Sequence, residues 1–157
     1  MSQTSTDHLF EKVVIIGVGL IGSSLAHNIR DHGLAKTVVG VSRSPENRAK
    51  ILELGLADSV TDDAMEAVKG ADCVLLCTAV GAYGPLSKII GPHLAEGCVV
   101  SDVGSTKGSV IRDIQPHMPA HAHFVPAHPI AGTEQSGPES GFASLFKDRW
   151  VILTPLP

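Results

Sequence analysis

The sequence lacks three features that would assign it at once to a functional class: a basic cluster, a long apolar run and a secretory leader. Lysines and arginines are scattered and the formal net charge is −4, which argues against binding to nucleic acid or to an anionic membrane surface. No apolar run is long enough to span a bilayer. Residues 1–10 are polar, without a basic start or an apolar stretch, and we expect a frayed tail there.

Cysteine is also scarce, and three residues do not make a disulfide framework. Cys73 and Cys77 share the apolar run CVLLC, where on a strand they would point to one face about 13 Å apart, too far for one bridge or one metal ion. His121 and His123 resemble half of a metal site, but no cysteine or carboxylate close in sequence completes it. We therefore expect free buried thiols in a reducing cytoplasm and no metal.

In place of those features, continuous apolar runs alternate with helical patterns along the chain. The runs predict seven strands, within residues 12–17, 37–42, 58–60, 71–78, 97–105, 123–130 and 149–155. Helical patterns separate the first six, and Ser44 followed by Pro45 is a typical helix start. Such alternation predicts one Rossmann-type α/β domain over residues 11–157, a doubly wound and mainly parallel sheet with helices on both faces.

A glycine motif, GVGLIG at residues 17–22, joins the first strand to the first helix. In that context G-x-G-x-x-G predicts a dinucleotide site, although a purely structural turn is the alternative. Gly17 would permit the tight turn, Gly19 the approach of a pyrophosphate, and Gly22 close packing of helix on sheet. The N–H groups at the helix start, at Leu20 and Ile21, would face the phosphates.

The end of the second strand bears on which dinucleotide is bound. An acidic residue there would bind the 2′-hydroxyl of NAD, but this chain has Ser42, Arg43 and Ser44. Two hydroxyls and a guanidinium suit a 2′-phosphate, so NADP is favoured and NAD remains possible. Alternatively, Ser44 only caps the next helix and Arg43 is solvated.

Ligands of such sheets lie outside the carboxyl ends of the strands, so polar residues at the later strand tips are candidates for the site. Thr78 and Val80 follow the fourth strand and Asp102 ends the fifth, and we expect all three to contact the cofactor. His128 leaves the sixth strand next to Pro129, where a neutral imidazole can act as a base. A structural histidine at a strand end is the alternative.

The run SDVGSTK after the fifth strand allows two interpretations. In one, Ser105 fixes a substrate hydroxyl beside His128 and Lys107 lies on the substrate side. In the other, Ser105 is a helix N-cap, and Asp102 and Lys107 form a surface ion pair of little energetic value. The glycine- and serine-rich stretch 131–142 is likewise either a surface loop or a loop on the substrate side.

The motifs GVGLIGSS, SDVGSTK and HPIAGTEQSG, in this order and spacing, resemble the prephenate/arogenate dehydrogenase family of tyrosine biosynthesis over residues 12–155. The resemblance implies oxidative decarboxylation of prephenate or arogenate with NAD or NADP. It makes His128 the catalytic residue that accepts a hydrogen bond from the ring C4 hydroxyl, with Ser105 holding the two in register. Glu134 matches an acidic residue near the mouth of the active site.

This sequence departs from the family pattern at its end. Family members continue into a helical domain that pairs subunits and supplies substrate-binding residues, whereas this chain stops at VILTPLP. We therefore expect an isolated nucleotide-binding domain that binds NADP but turns over poorly, and a homodimer for the full-length protein.

Two other functions remain open at this point. The first is another Rossmann oxidoreductase, such as an imine reductase or a 3-hydroxyacid dehydrogenase, the latter needing a catalytic lysine on a later helix that this sequence does not contain. The second is a non-catalytic nucleotide-sensing domain, which would use the glycine motif but would not need Ser105 and His128 at neighbouring strand tips.

Overall fold

The computed structural model describes residues 7–157, which contain a parallel sheet of six strands in the order β3-β2-β1-β4-β5-β6. The strands are β1 (Phe10–Ile16), β2 (Ala35–Val41), β3 (Ser59–Thr61), β4 (Cys73–Leu76), β5 (Val99–Asp102) and β6 (His123–Val125). The helices are α1 (Leu20–Asp31), α2 (Pro45–Glu53), α3 (Ala64–Val68), α4 (Tyr83–Ile90) and α5 (Lys107–Ile114). The predicted Rossmann-type fold is confirmed, and the strand order reverses between β1 and β4.

The strands at the centre of the sheet are buried on both faces. Val13, Val14, Ile15 and Ile16 of β1 are all almost inaccessible, and alternate residues join different cores. Val14 and Ile16 pack into one cluster and Val13 and Ile15 into the other, because successive side chains of a strand point to opposite faces. Burial on both faces explains why these strands read as continuous apolar runs.

The helix starts follow local chemistry that is largely visible in the sequence. Ser44 caps α2 as predicted, since its Oγ accepts a hydrogen bond from the Asn47 N–H at 3.2 Å. The helix α4 starts at Tyr83, and Pro85 lies in its first turn. A proline in the first turn of a helix interrupts no hydrogen bond, because the first N–H groups have no intrahelical partner.

The predicted sixth strand is wrong as a single element. It divides at Pro126 into β6 of the main sheet and β7 (Ala127–Pro129), which pairs antiparallel with β8 (Val151–Leu153) in a separate sheet. Proline has no N–H to donate, so the ladder with β5 cannot continue through Pro126. The predicted seventh strand is β8, and it belongs to this small sheet rather than to the main one.

The predicted tail is shorter than expected at its inner end. Residues 1–6 lie outside the described part of the chain. His8 Nδ1 hydrogen-bonds the Gly33 carbonyl at 2.8 Å, and the Phe10 N–H donates to the Leu34 carbonyl as β1 begins. The chain is therefore tied to the turn after α1 from His8 onward.

The three cysteines are free thiols. Burial raises the pKa of Cys73 to about 12 and that of Cys98 to about 11, so both stay protonated near neutral pH. Within residues 7–157, no three histidine, cysteine or acidic side chains converge as metal ligands. No helix in this part of the chain is long and apolar enough to cross a membrane.

Candidate functional site

A cavity of about 1010 Å³ lies at the point where the strand order reverses. It opens at the carboxyl ends of β1, β2 and β4, where a doubly wound sheet binds its ligands. It brings together six of the residues predicted to bind a cofactor: Gly17, Gly19, Ser42, Arg43, Ser44 and Thr78. Its wall also includes Asn47, Asp62 and Asp63, none of which was predicted, and Gly137 of the stretch 131–142.

The glycine turn has the shape that the motif predicts. Gly17 has φ +88°, and a Cβ there would lie 2.8 Å from Thr78 Cγ2. At Gly22 a Cβ would lie 2.3 Å from the Gly17 carbonyl oxygen, so helix and turn pack too closely for any side chain. At Gly19 a Cβ would meet nothing within 4 Å, because the backbone there faces the cavity. That open space fits a pyrophosphate.

Unpaired donors surround this space. The first α-helical hydrogen bond of α1 runs from the Ser23 N–H to the Gly19 carbonyl, so the N–H groups of Leu20 and Ile21 have no intrahelical acceptor. The positive end of the helix dipole lies at the same place. Thr78 Oγ1 is buried in the cavity wall and has no hydrogen-bond partner within residues 7–157. A bound nucleotide would satisfy groups that the chain itself leaves unpaired.

Arg48, which no sequence motif indicated, binds the backbone at the tip of β2. Arg48 Nη1 donates to the carbonyl oxygens of Ser42 at 2.7 Å and Arg43 at 2.9 Å, and lies 3.6 Å from Asp62 Oδ2. Ser44 Oγ is already engaged with the Asn47 N–H and Glu46 Oε2. The exposed Arg43 side chain has no such bond in the described structure, so its guanidinium is free to meet a ligand.

Asp102 and Lys107 lie together outside the cavity wall. Asp102 does not line the cavity: its side chain is fully buried and accepts hydrogen bonds from the N–H groups of Gly104 and Ala127. Lys107, predicted on the substrate side, pairs with Asp102 and donates to the Ala127 carbonyl. The pair is therefore not a surface ion pair, because Asp102 is buried, Lys107 is largely buried, and both side chains hydrogen-bond the Ala127 backbone.

The remaining predicted residues lie outside the cavity wall. Val80 begins a short turn, Val80–Ala82, and packs against the core. Ser105 is exposed after β5 and is not the helix cap, which is Thr106. His128 is half-buried in β7, and Glu134 is exposed in the loop that follows. The segments that carry Ser105 and His128 are joined by the hydrogen bonds of Asp102 and Lys107 to Ala127. This junction lies at the end of β5, the strand next to β4.

Comparison with known proteins agrees with this architecture. A family model described as prephenate dehydrogenase, nucleotide-binding domain, matches residues 25–157. A cyclohexadienyl dehydrogenase of Zymomonas mobilis is 45% identical over 147 residues, which cover 94% of this chain and 50% of that protein. The chain belongs to the prephenate dehydrogenase family.

Solved structures of this dehydrogenase family share the fold. Prephenate dehydrogenase from Aquifex aeolicus, in complex with hydroxyphenyl propionate and NAD+, aligns with a TM-score of 0.85 at 34% identity, covering 93% of this chain and 51% of its own. Arogenate dehydrogenase from Synechocystis aligns with a TM-score of 0.84 at 31% identity, covering 92% of this chain and 50% of its own. The chain spans about half the length of these relatives.

Two residues of the cavity in this prephenate dehydrogenase nucleotide-binding domain had a signal in the sequence. Asp62 and Asp63 directly follow β3, the neighbour of β2, and tips of adjacent parallel strands meet at one edge. Arg48 carried no comparable signal. Its side chain reaches back over the first turn of α2 to two carbonyls, a contact that only the folded turn defines.

Proposed function

We propose that this chain forms the dinucleotide-binding half of an enzyme that oxidises and decarboxylates prephenate or arogenate with NAD(P), a reaction of tyrosine biosynthesis. The observation that carries the proposal is the hydrogen-bonded junction of the Ser105 turn with the His128 strand, beside the cavity at the switch point. The relatives named above include enzymes for both substrates, which supports the substrate class. Neither substrate is favoured by the residues described.

The mechanism assigns each group of this chain one task. The helix start at Gly19 to Ile21 holds the pyrophosphate, and a bound nicotinamide supplies the hydride acceptor. His128 takes the proton of the C4 hydroxyl, which makes departure of hydride from C4 easier, and Ser105 orients that hydroxyl. Loss of the ring carboxylate as carbon dioxide then sends the electron pair of the broken bond through the ring to the C4 oxygen. The ring becomes aromatic, and that oxygen takes the proton back from His128. Glu134, exposed in the following loop, is assigned to the mouth of the site.

NADP is the proposed cofactor. Arg43 is exposed at the cavity with a free guanidinium, Ser42 lines the wall beside it, and the turn between β2 and α2 offers no carboxylate before Glu46. Asp62 brings a negative charge to the same cavity, but Arg48 lies 3.6 Å from it and offsets that charge. The free Arg43 guanidinium could thus pair with a 2′-phosphate, which supports NADP over NAD.

Arg43→Ala is expected to raise the dissociation constant for NADP+ about 10- to 100-fold and to change that for NAD+ by less than about threefold. Charge-assisted hydrogen bonds contribute about 1.5–3 kcal/mol, and only NADP+ carries the 2′-phosphate. Isothermal titration calorimetry on both dinucleotides measures the ratio. Arg112→Ala, an exposed arginine on α5 outside the cavity, is the matched control. Equal losses for both dinucleotides, or a parent protein that prefers NAD+, would contradict the assignment.

The complete protein tests the proposed reaction directly. Reduced dinucleotide should form with prephenate, with arogenate or with both, and not in the absence of substrate, as followed by absorbance. A protein that binds the dinucleotide but oxidises neither compound would instead be a nucleotide-sensing domain, and the proposed function would be rejected.

The second half of such a protein is proposed to make the dimer. Trp150, Val151, Ile152 and Leu153 are all more than half exposed, and contiguous apolar surface of this kind fits a face that another domain covers. We expect the complete protein to be a homodimer and the isolated chain to turn over slowly, since the chain spans only about half the length of its relatives. Three free thiols fit a reducing cytoplasm.

A further inference from the structure

The carboxylate of Asp102 is the most deeply buried charge in the described chain, with no exposed side-chain surface. A buried carboxylate is costly unless its oxygens are paired, and here both are. Oδ1 accepts from the Ala127 N–H at 3.2 Å, and Oδ2 accepts from the Gly104 N–H at 2.8 Å and from Lys107 Nζ. One carboxylate therefore binds both the segment that follows β5, at Gly104 and Lys107, and the start of β7, at Ala127.

Lys107 completes the arrangement from the other side. Its ammonium group, on a side chain only 15% exposed, pairs with Asp102 and donates to the Ala127 carbonyl at 2.6 Å. The N–H and the carbonyl of Ala127 are thus both bound by the pair. That carbonyl belongs to the peptide bond that leads into His128, so the pair fixes the backbone from which the imidazole projects.

The same carboxylate fixes the turn that carries Ser105. Gly104 donates to Asp102, and a Cβ at Gly104 would lie 2.8 Å from Val110 Cγ2, so the turn is tightly enclosed. Ser105 comes next in the chain and projects from this turn. A single buried group thereby ties together the two backbone segments that present Ser105 and His128.

The strand that carries His128 has few other ties to the main sheet. The strand partner of β7 is β8, which is exposed. Within residues 7–157, the hydrogen bonds between β7 and the β5–α5 region all run through Asp102 and Lys107. Without the pair, β7 would be free to shift relative to Ser105.

We propose that Asp102 and Lys107 are positioning residues that hold Ser105 and His128 in mutual register. The inference rests on the proposed function of those two side chains. The pair lies outside the dinucleotide cavity, so its loss should impair turnover without impairing dinucleotide binding. Small misplacements of reacting groups are known to cost as much as about 100-fold in rate.

The test uses the complete protein with Lys107→Met, Lys107→Arg and the charge-balanced pair Asp102→Asn with Lys107→Met. Lys107→Met should lower kcat about 10- to 100-fold and leave the dissociation constant of the dinucleotide within about twofold. Lys107→Arg, which keeps the positive charge, should have a kcat at least about tenfold higher than that of Lys107→Met. Lys88→Met, an exposed lysine on α4, is the matched control and should change neither quantity.

Hydrogen exchange gives a readout that does not depend on activity. In Lys107→Met, amides of residues 103–106 and 126–130 should exchange faster, while those of residues 17–26 keep their protection. The charge-balanced double variant should behave in the same way, which excludes an effect of the unpaired carboxylate alone. Unchanged protection in both segments, or full kcat in Lys107→Met beside an inactive His128→Asn, would overturn the inference. If the parent protein is inactive and Lys107→Met keeps its protection, both proposals are rejected. If the parent protein is inactive but Lys107→Met exchanges faster in these segments, only the proposed reaction is rejected.

Discussion

His128→Asn is expected to lower kcat about 10²- to 10⁴-fold, the range that a positioned general base contributes. Asparagine keeps a polar side chain of similar reach but cannot take up the proton of the substrate hydroxyl. The dissociation constants for NADP+ and NAD+ should stay unchanged, because His128 lies outside the dinucleotide cavity. Steady-state kinetics with prephenate and arogenate in the complete protein, beside calorimetric binding, measures both quantities.

The matched control for this variant is His123→Asn. His123 is exposed at the amino end of β6, away from the strand tips that form the site. The His123→Asn variant should therefore have a kcat close to that of the parent protein. Near-normal turnover in His128→Asn would show that another group removes the proton, and the assignment of the base would be withdrawn.

Gly19→Ala is expected to weaken dinucleotide binding about 100-fold while leaving the fold intact. A Cβ at this position meets no protein atom within 4 Å, so the free protein has room for the methyl group. The methyl would occupy the space in which a pyrophosphate approaches the backbone. Loss of one or two charge-assisted hydrogen bonds, at about 1.5–3 kcal/mol each, gives that magnitude.

Two measurements separate binding from folding in this variant. Calorimetry gives the dissociation constant, and thermal unfolding without ligand gives Tm, which should not fall. Gly22 would be a poorer choice, since its Cβ would lie 2.3 Å from the Gly17 carbonyl and would distort the turn itself. Gly108→Ala in α5 is the control: its Cβ also meets nothing, and binding should persist. Parent-like affinity in Gly19→Ala would place the pyrophosphate elsewhere.

The features that could be predicted are those determined by residues close to one another in the sequence. The glycine motif needs only the strand before it and the helix after it, and the Ser44 cap needs only three residues. Strand–helix alternation defines a doubly wound sheet, because parallel strands need crossovers. These parts of the fold and of the dinucleotide cavity follow from sequence patterns that extend over fewer than about 15 residues.

The features predicted poorly depend on contacts between distant segments. Asp102 ends a strand at the expected edge, but its side chain turns inward because Ala127, 25 residues later, offers an N–H there. The sequence pattern does not predict that the sixth strand divides at Pro126, and it therefore does not predict that β7 pairs with β8. Arg48 was missed for a related reason, since its carbonyl acceptors come together only once the β2–α2 turn has formed.

The separation of β7 from the main sheet has a mechanical consequence. His128 is paired with Ile152 of β8, so its backbone belongs to a two-stranded ribbon, whereas the glycine turn belongs to the six-stranded sheet. In the proposed mechanism, the distance between His128 and the nicotinamide is therefore set by how this two-stranded ribbon lies against the six-stranded sheet. A displacement of β8 would then move the imidazole without moving the glycine turn.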